Sequence, residues 1–314
     1  MSVAVPILLV CGFLGAGKTS VVNHLLANAG GRRIAAVVND FGAINIDAEL
    51  IAGASDGVVS LSNGCICCRL EGDLLRVLAA LLRREERPEF IVIETSGVAD
   101  PADIIRNLMD PVIWREAPLE MVLCVVDASA PVGTLEDPLL RSQVRAADVV
   151  ALSKVDLAGS CGAVRDAVKA IRPVVVVVVE ALHGAVPTEM LFSPDLDRVP
   201  VVREVGQRRP AAERFETLSW VSDRAISLPA FQAAIGWLAS RVARAKGMFE
   251  VAGQPGRVVV FQFAGGRATL APGGVLALGT PRTRVVFVAE VGVLEPGEIG
   301  RVMKRCVEGG VGLR

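Results

Sequence analysis

Tyrosine is absent from these 314 residues, and aromatics together supply only 4 % of them. That leaves few platforms for stacking the bases of single-stranded nucleic acid. Charge is nearly balanced, with 33 basic and 34 acidic residues and no basic tail, so no global field draws the chain to nucleic acid or to an acidic membrane surface. Histidine occurs only at His24 and His183, and no histidine-rich tract exists. Long apolar runs are missing as well. PVVVVVV at 173–179 falls far short of the roughly 18 residues expected of a membrane span. The apolar start MSVAVPILLV has no basic residue before Lys18, unlike the charged opening of an export signal. The expectation is a soluble, cytoplasmic protein with no nucleic-acid or membrane partner, whose thiols serve metals or catalysis rather than disulfides.

What is present is aliphatic: 52 % of the chain is hydrophobic, the composition that buried parallel strands need. At ~150 residues per domain the length suggests about two domains. From 5 to 180, short Val/Ile/Leu runs (PILLVCG, RRIAAVVND, FIVIETSG, EMVLCVVDA, ADVVALSK, PVVVVVVE) alternate with amphipathic stretches (KTSVVNHLLANA, GDLLRVLAALLRREE, AVRDAVKAIR). This order predicts an α/β domain over 1–192, a mainly parallel sheet with helices on both faces and ligands beyond the carboxyl ends of its strands. The prolines and mixed charges of 193–213 predict a linker. FETLSWVS, RVVVFQFAG, RATLA and TRVVFVAEV then read as strands, LPAFQAAIGWLASRVARA (228–245) and 295–307 as helices, which predicts a smaller α+β domain over 214–314.

GFLGAGKT at 12–19 fits the phosphate-loop pattern between a predicted strand and a predicted helix. Glycines let backbone N–H groups curl around phosphates, Lys18 neutralises them, and Thr19 is placed to ligate magnesium. The candidate nucleotide contacts are Gly12, Gly15, Ala16, Gly17, Lys18, Thr19 and Ser20. FIVIE ends in Glu94, placed to orient the magnesium shell, and Gly97 follows three residues later with an N–H placed to sense a γ-phosphate. In ALSKVD the Lys154–Asp156 spacing resembles the guanine-reading loop of GTPases, with Asp156 accepting from guanine N1–H and its exocyclic amine. That favours GTP. Ser153 stands where asparagine is usual, which predicts a loop less firmly held. His183 follows the last core strand and is placed beside the nucleotide, whereas His24 fits a packed helical role.

Three cysteines, Cys65, Cys67 and Cys68, fall within NGCICC at 63–68. Clustered thiolates select zinc, copper(I) or cobalt-like ions, and a turn before a helix lowers their pKa. Cys67 and Cys68 are adjacent, which suggests that two of the three ligate directly. Buried small hydrophobes and a redox pair are the competing readings.

Together GFLGAGKTS, VVNDFGAINID, LSNGCICCRL, IVIETSGVADP and ALSKVD resemble the CobW family of metal-handling phosphate-loop GTPases, and RVARAKGMFEV resembles the Arg-x-Lys-Gly segment of its C-terminal domain. The resemblance implies a GTP-dependent metallochaperone with slow intrinsic GTP hydrolysis. It would use magnesium, bind zinc or a cobalt-like ion at Cys65, Cys67 and Cys68, and deliver it to a metal-requiring client protein. It also implies a monomer or a nucleotide-dependent dimer. Asp40 and Ala43 replace two glutamates usual in the family's first switch segment; Asp40 keeps a carboxylate, while Ala43 removes an oxygen donor. Asp40 joins Lys18, Glu94 and Gly97 as the candidate catalytic set. The competing function is a GTP-gated activator of a metallo- or corrinoid enzyme that carries no metal itself. A zinc buffer with a vestigial GTPase is a third, opposed by the intact Gly17–Lys18–Thr19 and Glu94.

Overall fold

The computed structural model describes residues 4–39, 58–61, 66–173, 177–192, 207–211, 215–264, 266–276 and 280–308. The chain divides into two compact units, Met1–Thr188 and Glu189–Arg314.

The first unit is built on strands β1 (Ile7–Gly12), β2 (Ile34–Asn39), β3 (Val58–Leu61), β4 (Phe90–Glu94), β5 (Leu119–Asp127), β6 (Val149–Ser153) and β7 (Val177–Ala181). They form one parallel sheet in the order β3-β2-β4-β1-β5-β6-β7. The helices are α1 (Lys18–Ala27), α2 (Ile66–Leu82), α3 (Pro101–Leu108), α4 (Pro111–Glu116), α5 (Pro138–Ala146) and α6 (Gly162–Ile171). The connections β1-α1-β2 and β2-β3 run one way along the sheet, and the helical crossovers from β3 onward run the other. Right-handed crossing therefore puts α1 on one face and the later helices on the opposite one. The packing agrees: Leu74 and Leu78 of α2, Leu108 of α3, Val144 of α5 and Val168 of α6 share one buried cluster with Ile7, Leu9 and Cys11.

Two features position the site. Chain order reverses beside β1, so the crevice at its carboxyl end is the ligand position expected of such sheets. Proline in the first turn and an aspartate cap recur at α3, α4 and α5, where Asp100, Asp110 and Asp137 accept backbone N–H groups. α1 departs from this rule. Its cap is Gly17, with no side-chain cap and no acidic residue in the first turn.

The second unit contains α7 (Thr188–Leu191) at its boundary and strands β8 (Gln207–Ala211), β9 (Phe215–Ser222), β10 (Arg244–Glu250), β11 (Val258–Ala264), β12 (Arg267–Pro272) and β13 (Thr283–Glu290). They form an antiparallel sheet in the order β12-β11-β10-β13-β9-β8. Helices α8 (Leu228–Leu238) and α9 (Pro296–Glu308) cover one face. Phe231 of α8 packs against Phe249 and Phe261 with ring centroids 4.7 and 4.8 Å away. Among the described residues no helix is long and apolar enough to cross a membrane.

Three elements differ from the sequence reading. β3 is a seventh strand on the edge of the parallel sheet, its four residues too short to show a period. Residues 207–211, inside the stretch read as a linker, pair with β9. The helix read over 228–245 stops at Leu238, and Arg244 begins strand β10. Ladders to β11 and β13 outweigh the helical propensity of LASRVARA.

Candidate functional site

β1 is buried along its whole length and delivers the chain to Gly12 at the crevice. Gly12 has φ +143°, and a Cβ there would fall 2.3 Å from the carbonyl oxygen of Val125, so only glycine lets β1 lie this close to β5. Gly15 (φ +70°) and Gly17 (φ +89°) turn the loop back into α1. Ala16 is buried and its N–H bonds to the carbonyl of Phe13 at 3.2 Å. Lys18 is only 8 % exposed, and its ammonium donates to the same Phe13 carbonyl at 3.2 Å, so the lysine folds back over the loop. With no carboxylate in the first turn of α1, its N–H groups and the positive end of the helix dipole are left to an anion.

The hydroxyl of Thr19 donates to Glu94 Oε1 at 2.9 Å, joining the start of α1 to the end of β4. Glu94 is 4 % exposed. A hydroxyl and a carboxylate at the mouth of an anion site are hard oxygen donors, the chemistry magnesium requires, so the residues present fit that ion. Gly97 lies against the phosphate loop: a Cβ on it would come within 2.6 Å of Leu14 N. The segment carrying a candidate γ-phosphate contact thus touches the loop that would hold the phosphate.

At the end of β6, Ser153 is buried and its hydroxyl donates to the Ala16 carbonyl at 2.6 Å, with the Val126 carbonyl 3.3 Å away. Lys154 takes φ +52° and forms an ion pair with Asp127 at 2.6 Å. Asp127 also accepts from Ser129 N at 2.9 Å and Ser129 Oγ at 2.6 Å. Burial pushes its carboxyl up, but the bonds from Lys154 and Ser129 outweigh this and hold it below the usual carboxylate range. Asp156 stands exposed in the turn that follows. His183 is also exposed, with φ +50°, in a 3-10 turn whose next residue, Gly184, sits on α1. A Cβ on Gly184 would lie 2.5 Å from the Ser20 carbonyl.

The structure therefore brings Gly12 to Ser20, Glu94, Gly97 and Ser153 together, with the turn of His183 packed on the same helix. Asp40, Ala43 and Cys65 lie outside the described residues. Cys67 and Cys68 occupy the first turn of α2. Among the described residues no group of three His, Cys, Asp or Glu is placed to hold a metal.

Two residues escaped the sequence reading. Asp127 ends β5 as Glu94 ends β4, and that signal, a carboxylate at a strand terminus, is visible in VVDA. Gln143 is fully buried beneath Gly97, and a single glutamine on an amphipathic helix gives no such sign.

Two family profiles match. The CobW/HypB/UreG nucleotide-binding domain covers residues 6–178, and the CobW C-terminal domain covers 215–307. A protein named zinc chaperone CobW from Sinorhizobium sp is 34 % identical over 60 % of this chain and 62 % of its own. One named zinc chaperone YjiA from Escherichia coli K12 is 34 % identical over 60 % of this chain and 61 % of its own. The matched region thus spans about three-fifths of these relatives. A crystal structure of Zn(II)-bound YjiA GTPase from E. coli aligns over 97 % of this chain and 99 % of that one, at 23 % identity and a TM-score of 0.49. Since the first profile alone takes in more than half of the residues, the chain belongs to the CobW/HypB/UreG family and carries that family's CobW C-terminal domain.

Proposed function

We propose that this protein is a GTP-dependent metallochaperone that binds zinc, or a cobalt-like ion, at its cysteine cluster and hands it to a client protein. The observation that carries this reading is the placement of the two motifs in one unit. The phosphate-loop cradle opens at the carboxyl end of β1, and Cys67 and Cys68 begin α2, which leads into β4, the strand beside β1 that ends in Glu94. The names of the Sinorhizobium and E. coli relatives support it.

Lys18, the open N-terminus of α1 and the backbone N–H groups of 12–19 would hold the phosphates of GTP. Asp156 would read guanine from the turn braced by Ser153 and Lys154. Thr19 and Glu94 would hold magnesium, which supplies charge neutralisation at the phosphates. Cys65, Cys67 and Cys68 supply soft thiolates for the cargo ion. GTP favours metal binding only by binding the metal-competent state preferentially, and linkage makes the effect reciprocal, typically ~1–3 kcal/mol. Hydrolysis would then lower metal affinity beside the client.

A second reading is a GTP-gated activator that remodels a metalloenzyme without carrying the ion. It is favoured by a fission-yeast relative named zinc-regulated GTPase metalloprotein activator 1, 32 % identical over 50 % of this chain and 40 % of its own. Competitive titration of zinc and cobalt into the reduced protein separates the two, with no nucleotide, with magnesium-GDP and with a magnesium-GTP analogue. Metal affinity that rises with the GTP analogue and collapses in Cys67→Ser supports the chaperone. Affinity that is weak or indifferent to nucleotide rejects it in favour of the activator.

A further inference from the structure

On the side away from the phosphate loop, the segment carrying Gly97 is gripped by α5. Gln143 of that helix is 0 % exposed. Its carboxamide nitrogen donates to the Gly97 carbonyl at 3.3 Å and to the Ala99 carbonyl at 3.2 Å. Both neighbours are acceptors, which fixes the orientation of the amide. One residue earlier, the Ser142 hydroxyl lies 3.0 and 3.1 Å from the two carboxylate oxygens of Asp100. Asp100 in turn caps α3 through Ala102 N. Two consecutive residues of α5 therefore hold both ends of the 97–100 turn. The backbone carbonyl of Gln143 also meets the thiol of Cys11, the residue before Gly12, at 4.0 Å.

The remaining carboxamide atom is the telling one. Gln143 Oε1 is buried and accepts no hydrogen bond among the described residues. A buried carbonyl without a donor costs free energy, and an apolar side chain of similar volume would fill the space without that cost. Its presence is explained if a second arrangement of the turn brings a backbone N–H to it. Gly97 lies between the backbone of Leu14 and the carboxamide of Gln143, so a shift of its peptide changes both contacts.

We infer that Gln143 is the positioning residue for the Gly97 turn, holding its carbonyls in one state and supplying an acceptor to the other when a γ-phosphate engages Gly97. The inference rests on the reading of Gly97 as the γ-phosphate contact. In this role Gln143 acts only through the turn, by its bonds to the Gly97 and Ala99 carbonyls.

The test compares wild type with Gln143→Leu, which keeps the volume and removes the amide. Three quantities are read: GDP affinity, steady-state GTP hydrolysis, and amide hydrogen exchange of the peptide spanning 95–100 with magnesium-GDP and with a magnesium-GTP analogue. In Q143L, GDP affinity and KM should stay near wild type, kcat should fall on the order of a hundredfold, and the exchange difference between the two nucleotides should vanish. A purely structural role would move GDP affinity together with kcat, and that outcome overturns the proposal. So does an exchange difference that persists in Q143L. If wild type itself shows no difference at 95–100, the reading of Gly97 has failed, and the proposal with it. Should Q143L not fold, Gln143→Asn keeps the amide but is too short to reach both carbonyls, and the same three readouts apply.

Discussion

The hydroxyl of Ser153 donates to the carbonyl of Ala16 at 2.6 Å, joining the start of the candidate base loop to the phosphate loop across 137 positions of sequence. Serine in place of the usual asparagine suggested a looser loop. The shorter side chain instead reaches the phosphate loop because Gly17 packs closely against it: a Cβ on Gly17 would lie 3.7 Å from Ser153 Cβ. Ser153→Ala leaves the Ala16 carbonyl without this donor in a buried site. Where that bond's ~1–2 kcal/mol supports the loop arrangement that binds nucleotide, the GDP dissociation constant rises roughly fivefold to thirtyfold. Titration of a fluorescent guanine nucleotide measures it. An unchanged constant would mean that the two loops are held together by something else.

How far the site could be read in advance follows from where its chemistry is local. Gly12, Gly17, Lys18 and Thr19 are consecutive or nearly so, and loop geometry within eight residues is written in glycine positions. Glu94 and Gly97 were legible because a carboxylate ending an apolar run marks a strand terminus. Gln143 was not, since its partners Gly97 and Ala99 lie 46 and 44 positions away and only the fold brings them together. The same holds for the second unit. RVARA has good helix formers, yet Ala245 pairs with Phe263 and Phe287, and those partners decide the matter.

Arg244 shows what the Arg-x-Lys-Gly segment does for packing. Its guanidinium is buried, 1 % exposed, and donates to the carbonyls of Leu191 at 2.6 Å and Met190 at 3.3 Å, the end of α7. Those carbonyls end a helix and lack its next turn, and a single guanidinium nitrogen, Nη1, donates to both. Gly247 completes the segment, since a Cβ there would fall 2.9 Å from Val285 Cγ2. Arg244→Lys keeps the charge but is shorter and buries a more strongly hydrated ammonium, and should cost about 2–4 kcal/mol of stability. Urea unfolding followed by tryptophan fluorescence reports it through Trp220, buried in the same unit. An unfolding midpoint equal to that of wild type would show that the guanidinium is dispensable.

Alkaline stability isolates another buried group, because tyrosine, which normally titrates near pH 10, is absent. Cys306 of α9 is 1 % exposed, its thiol donates to the Val302 carbonyl at 3.3 Å, and burial pushes its pKa up to about 12 from 9.0. An acid whose pKa is raised by folding holds its proton in the folded state after the unfolded chain has released it. Between those two values the unfolded state binds fewer protons, so stability falls as pH rises, with a slope of at most ~1.4 kcal/mol per pH unit for one thiol. Well below pH 9 the group contributes almost no slope, and at pH 9 it reaches about half of that maximum. Cys124 acts in the same direction: the hydrogen bond with Cys11, and burial, push its thiol well above its ordinary range. Urea midpoints should therefore be level from pH 7 to 8.5 and decline above 9. In Cys306→Ala, where the methyl keeps part of the packing and nothing ionises, the decline should be shallower even though the midpoint starts lower. A decline of equal steepness in the variant would assign the alkaline loss to groups other than Cys306, Cys124 among them, and would mean that Cys306 ionises as readily in the fold as in the unfolded chain.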